Sequence, residues 1–205
     1  LQTLNNLPMF IYGLNKSKNE IEEEFSAKFH QAGFERLEEA DGFSHPFMPI
    51  ILDESPKVIT GGSWGLLPFW AKSTGFQNST LNGNIENVSK NRSYQNYINK
   101  RCLVIASHFY LVTKSKDASK FKQRFLVNVA ESDLFCFAGL YSMWKDASCN
   151  SYKLTYTVLT TKASSWMLQF DEDNKRMPVI LNKQDYHLWL NGNSLDDFYT
   201  PKTIN

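Results

Sequence analysis

The run from Arg101 to Val112, RCLVIASHFYLV, restricts the fold most, because it is almost wholly apolar and rich in strand-favouring residues. It predicts one buried strand. Further strand patterns cover residues 124–129, 134–144, 152–160 and 177–181. Helical patterns do not alternate regularly with these strands, so we expect an α+β fold with a mainly antiparallel sheet.

Two helices are predicted before the buried run. Ser17-Lys18-Asn19-Glu20 has the spacing of a capping box and opens a helix that ends near Gly33. The second predicted helix spans Ser89 to Asn99 and turns Tyr94 and Tyr97 inward.

Length and composition limit the class of protein. The 205 residues suit one domain, and the net charge of +1 provides no bulk basic field that would attract nucleic acid. The three cysteines are widely spaced and lack a CxxC pattern, which argues against a disulfide framework or zinc. We predict no metal, no cofactor, no membrane span, a monomer and a cytoplasmic location. We expect residues 1–8 to be a leader, 9–192 a single domain and 193–205 a flexible tail.

The stretch from Gly61 to Asn87 holds the clearest candidate site. Trp64 and Trp70 flank Pro68, and a row of Asn82, Asn84 and Glu86 alternates with Gly and Ile. Alternation places the three polar side chains on one face of an extended segment. Such a row beside two indoles suits a surface that stacks a flat ligand, for example an unstacked base. The alternative is a core strand end followed by a turn.

Six short blocks carry a family resemblance. In order they are WGLLPFWAK (64–72), LNGNIEN (81–87), KRCLVIA (100–106), FAGLY (137–141), YTVLTT (156–161) and RMPVIL (176–181). Together they resemble the SOS response-associated peptidase (SRAP) family, the abasic-site processing proteins, from Met9 to about Leu190.

The resemblance implies a mainly antiparallel, barrel-like β core with surrounding helices, and binding of single-stranded DNA. It also implies hydrolase-family chemistry, autoproteolysis followed by crosslinking. A cysteine next to the initiator Met attacks the aldehyde of an abasic sugar through its amine, and its thiol closes a thiazolidine ring. An Asn, a Glu and a His assist this reaction.

The catalytic positions are mostly substituted in this chain. The cysteine position falls on Phe10, which has no nucleophile, and the Glu position falls on Leu111, which cannot titrate. The Asn position is kept as Asn82. The His position falls on Asp171 if the preceding apolar residue is the anchor, or on Asn174 if counted back from Arg176 without a gap.

The elements that the resemblance assigns to DNA binding are better preserved. The basic position after Asn82 falls on Asn84, and the acidic one is kept as Glu86. Stacking and phosphate contacts are expected from aromatic, proline and arginine residues, namely Trp64, Pro68, Trp70, Arg92, Arg101 and Arg176. For Trp64 a place in the core, and for Arg176 a structural salt bridge, remain alternatives.

We therefore predict a catalytically inactive member that binds single-stranded DNA, with or without abasic sites. Two other hypotheses stay open. One is an enzyme that forms only a Schiff base through another amine, with Asn82 and Asp171 assisting. The other is an interaction or small-molecule binding module that reuses the groove, with Phe10 filling the former active site.

Overall fold

A computed structural model describes residues 11–30, 34–112, 124–129, 133–168 and 175–200. Within these ranges the chain forms thirteen strands, three short α-helices and five 3₁₀ turns. The strands are β1 (Ile11–Leu14), β2 (Lys28–Phe29), β3 (Leu37–Asp41), β4 (Phe47–Leu52), β5 (Val58–Trp64), β6 (Asn82–Asn84), β7 (Arg101–Ala106), β8 (His108–Val112), β9 (Arg124–Val127), β10 (Phe135–Asp146), β11 (Ser151–Lys162), β12 (Arg176–Pro178) and β13 (Ile180–Leu181). The α-helices are α1 (Lys18–Phe25), α2 (Ser165–Leu168) and α3 (Tyr186–Leu190). The 3₁₀ turns are Gly42–Ser44, Thr74–Ser79, Gln95–Tyr97, Lys183–Asp185 and Leu195–Phe198.

Five strands close into a barrel in the order β5-β4-β7-β10-β11 and back to β5. Every pairing in the ring is antiparallel except the closing one, where β11 runs parallel to β5. Two flat rings, Trp64 and Tyr156, stack inside this closure with centroids 6.4 Å apart. The predicted α+β fold with a mainly antiparallel, barrel-like core is confirmed.

A second, four-stranded sheet has the order β3-β1-β8-β9. Its β8 follows β7 after a single residue. The segment from Arg101 to Val112, which was predicted as one strand, therefore forms two strands that belong to different sheets. Ser107 marks the change: its N–H donates to the carbonyl of Gly13 in β1 at 2.9 Å. The Tyr12 hydroxyl of β1 bonds the Tyr156 hydroxyl at 2.6 Å, which ties the second sheet to the barrel interior.

Helix α1 begins as predicted, because both arms of the Ser17–Glu20 capping box are present. It ends earlier than predicted, at Phe25, where Ser26 adopts a left-handed conformation with φ 47°. None of the helices in the described ranges combines the length and apolarity that crossing a membrane requires.

Two other predictions differ from the structure. The segment from Ser89 to Asn99 is a series of turns with one 3₁₀ turn, because the Asn91 side chain accepts a hydrogen bond from the Ser93 N–H at 2.8 Å and competes with helix formation. The tail predicted to be flexible over residues 193–205 is packed in part: Phe198 is 3% exposed and meets the Trp189 ring edge-on at 5.1 Å, and the Tyr199 carbonyl accepts a hydrogen bond from the Thr161 hydroxyl.

Candidate functional site

The polar row of Asn82, Asn84 and Glu86 lies along β6 and the turn that follows it. Strand β6 runs parallel to β11 next to the barrel closure. Gly83 and Ile85 are buried, whereas the three polar residues are partly exposed. The alternation predicted from the sequence is confirmed, and the row forms one polar edge of the barrel.

The barrel interior holds the start of this row in place. The Leu81 carbonyl accepts hydrogen bonds from the Trp64 Nε1–H at 2.8 Å and the Thr157 hydroxyl at 3.1 Å. Trp64 is 0% exposed, so the expectation that it stacks a ligand is wrong and the core alternative is correct. A buried indole N–H needs an acceptor, and this one finds it on the residue that precedes Asn82.

The exposed Phe69 and Arg92 and the partly exposed Trp70 form a group that we call the indole surface. The Arg92 guanidinium lies 4.9 Å from the Trp70 ring centroid, and Phe69 is 70% exposed. The edge-on Phe76 ring supports Trp70 at 4.9 Å. The Trp70 indole nitrogen is buried and has no acceptor among the described residues. A flat face and a cation are thus presented together at the surface.

One short segment, residues 91–97, connects the indole surface to the polar row. Its Arg92 covers Trp70, and its Tyr97 hydroxyl accepts a hydrogen bond from the Phe69 N–H at 2.7 Å. Its Tyr94 hydroxyl donates to the Asn82 carbonyl at 3.0 Å. Sequence reasoning predicted that both tyrosines face inward but missed that their hydroxyls position the site. Their spacing of three residues was the available signal.

The end of the polar row is held by an ion pair. The Arg176 guanidinium lies 2.8 Å from a Glu86 carboxylate oxygen and also donates to the Thr160 carbonyl. Partial burial acts to raise the pKa of Glu86, but Arg176 and the Thr161 hydroxyl outweigh it, and the net pKa lies below its ordinary value. Glu86 is therefore ionised at neutral pH and serves as an acceptor, not as a general acid. The salt bridge that the alternative for Arg176 predicted is present.

Two further residues expected to contact a ligand are buried. Arg101 is 4% exposed, donates to the carbonyls of Ile98 and Trp189, and lies 4.5 Å from the Trp189 ring centroid. Pro68 is buried as well, and its carbonyl accepts a hydrogen bond from Ala71. The expected phosphate contact from Arg101 and surface contact from Pro68 are wrong, because both residues stabilise the fold instead.

The catalytic positions implied by the resemblance divide into two groups. Leu111 lies in β8, is 3% exposed and pairs with Phe125 in β9. Phe10, Asp171 and Asn174 lie outside the described residues.

Comparisons with known proteins agree with this architecture. The family model described as SOS response associated peptidase (SRAP) matches residues 11–202. The abasic site processing protein YoqW of Bacillus subtilis (strain 168) is 32% identical over 157 residues, covering 76% of this chain and 67% of that protein. The abasic site processing protein YobE of the same strain is 31% identical over 157 residues, covering 76% and 69%. A crystal structure of a protein from Bacteroides thetaiotaomicron superposes with a TM-score of 0.84 at 22% identity, covering 93% of this chain and 86% of that one. The chain belongs to the SRAP family, as its six sequence blocks predicted.

Proposed function

We propose that this chain binds single-stranded DNA, abasic sites included, without forming the covalent crosslink of the family reaction. The observation that carries the proposal is Leu111: a buried aliphatic side chain occupies the position that the family resemblance gives to a catalytic glutamate. The retained Asn82 lies on a preformed edge. The relatives YoqW and YobE are abasic site processing proteins, which supports DNA with abasic sites as the partner.

The indole surface supports the binding half of the proposal. Trp70 and the exposed Phe69 offer rings on which unpaired bases can stack, at about 1–3 kcal/mol per base. Arg92, Lys72 and Lys90 are all exposed and can approach phosphates. Such contacts together give weak binding, with dissociation constants of roughly micromolar order or weaker.

The missing chemistry supports the other half. Thiazolidine closure requires an amine to form a Schiff base and a thiolate to add to it. The phenyl group of Phe10 supplies no thiolate, and Leu111 can neither donate nor accept a proton. The Schiff-base-only alternative would need a different free amine and is tested by the closing experiment of the Discussion. The proposal keeps a monomeric, cytoplasmic protein as its working form.

The binding half is tested by titrating the chain into fluorescently labelled single-stranded DNA and measuring anisotropy at several salt concentrations. Two oligonucleotides of the same sequence, one with an abasic site and one without, are compared. Saturable binding to single strands that weakens as salt rises, with weaker binding to a duplex, is expected. Absence of saturable binding at low salt would rule the proposal out.

A further inference from the structure

A cavity of about 310 Å³ opens on the outer side of the barrel wall, where β2, β4 and β5 meet. Its walls are mixed and somewhat more apolar than polar, and three phenylalanines, Phe29, Phe34 and Phe47, contribute to them. The rings of Phe29 and Phe34 stack with centroids 5.2 Å apart. None of these residues belongs to the polar row or the indole surface. A volume and lining of this kind suit a small organic ligand.

The cavity lies at a gap in the strand pairing of β5. On the side away from β4, β2 pairs with β5 as far as Ile59, and β11 begins to pair with it at Ser63. Thr60, Gly61 and Gly62 therefore have no strand neighbour on that side among the described residues. Thr60 and Gly61 both line the cavity.

Successive residues of β5 direct their backbone N–H and C=O groups to opposite sides, and this alternation shows which groups point into the gap. The Trp64 N–H donates to the carbonyl of Pro46, which directly precedes β4, so even-numbered residues of β5 bond toward β4. Odd-numbered residues bond the other way: the Ile59 carbonyl accepts from His30, and the Gly65 N–H donates to Tyr156. By the same alternation the N–H and C=O of Gly61 point into the gap. One donor and one acceptor thus lie side by side on a single residue.

The surroundings of Gly61 favour a neutral and flat ligand. A Cβ atom added to Gly61 would lie 1.8 Å from a Phe47 ring carbon, so the Phe47 ring rests directly on the glycine. Phe47 is nevertheless 63% exposed, which leaves most of its ring free to cover a ligand. The charged lining residues, Glu35 and Arg36, carry opposite charges and give no net preference for an ion.

We propose that this cavity is a binding site for a neutral, planar lactam or similar cyclic amide. The ligand's N–H donates to the Gly61 carbonyl, its carbonyl accepts from the Gly61 N–H, and its ring packs beneath Phe47. This pairing reproduces the two hydrogen bonds that a neighbouring strand would make at the same residue. The site uses other strands than the proposed DNA surface and stands independently of it.

The test is a titration of the ¹⁵N-labelled chain with 2-quinolinone, followed by amide chemical shifts. N-methyl-2-quinolinone is the matched control, because it keeps the ring and the carbonyl but cannot donate. We expect saturable shifts centred on Gly61, with a dissociation constant on the order of 1 mM for so small a probe. The methylated analogue is expected to bind at least about tenfold more weakly. Equal binding of the two compounds, or shifts centred elsewhere, would overturn the proposal.

Two substitutions locate the site further. Phe47→Ala removes the covering ring and is expected to weaken 2-quinolinone binding by about tenfold. Phe43→Ala is the control, since Phe43 is also exposed, at 44%, but does not line the cavity. Thermal unfolding of both variants verifies that they fold. The inference fails if Phe43→Ala weakens 2-quinolinone binding as much as Phe47→Ala does. If Phe47→Ala does not fold, the comparison of 2-quinolinone with its N-methyl analogue still tests the site.

Discussion

Replacing Trp70 by alanine tests the indole surface most sharply. The change removes the ring that Arg92 covers, at 4.9 Å, and that Phe76 supports. It leaves the fully buried Trp64, which anchors the barrel, untouched. The variant therefore tests whether Trp70 contacts DNA without disturbing Trp64, which stabilises the fold.

The size of the effect follows from the geometry of the ring. A base stacked on an indole contributes about 1–3 kcal/mol. Because Arg92 already covers one face of Trp70, a base gains only the remaining surface, and we expect the lower part of that range. A loss of about 1–2 kcal/mol corresponds to about 5- to 30-fold weaker binding of single-stranded DNA.

Anisotropy titrations at several salt concentrations measure this loss and identify its origin. Trp70→Ala removes no charge, so its salt dependence should equal that of the parent, whereas Arg92→Ala should reduce the slope of log K against log salt by about 0.7. Tyr152→Ala is the matched control, because Tyr152 is also an exposed aromatic residue, at 64%. It lies in β11, and its side chain is on the face of the β10–β11 pair opposite to the face on which Trp144 packs. A folded Trp70→Ala variant that binds within twofold of the parent would refute the stacking role.

Two further predictions concern stability. The folded-state pKa of Glu86 lies below its ordinary value of 4.5, so its ion pair with Arg176 stabilises the fold above that pH and loses this effect as the pH falls through the lowered pKa. Urea unfolding should show that Glu86→Gln is less stable than the parent at pH 7 and that the difference shrinks in acid; a difference independent of pH would contradict the ion pair. Gly139→Ala places a Cβ 2.7 Å from the Cys102 sulfur and 2.9 Å from the Thr157 carbonyl oxygen, and should cost about 1–3 kcal/mol of unfolding free energy. An unchanged urea midpoint would contradict this expectation and show that β7 and β11 move apart enough to accommodate the methyl group.

The sequence predicted those features that local patterns determine. The capping box of α1 involves two residues three positions apart in the chain, and the alternation of the polar row follows directly from strand geometry. The six family blocks predicted the fold class, and the family model confirmed the family.

Features that depend on distant contacts were not predictable in the same way. Trp64 and Trp70 occupy the same block, and only the contact of Trp64 with Leu81, seventeen residues on, decides which of them is buried. The split of the run at Ser107 depends on a bond to Gly13, which lies in the other sheet. Arg101 has the charge of a phosphate ligand, but the Trp189 carbonyl and ring bury it.

Whether the protein binds DNA without crosslinking to it is decided by a denaturing gel of the chain with single-stranded DNA that carries one abasic site, run with and without borohydride. A Phe10→Cys variant, cleaved so that the cysteine becomes the first residue, runs alongside. We predict no shifted band for the parent under either condition. We predict a weak shifted band for the variant, because the new cysteine restores the amine and the thiol while Leu111 still provides no titratable group; this result would show intact DNA binding beside absent crosslinking chemistry. A shifted band for the parent would contradict the account and identify a working enzyme that uses another amine.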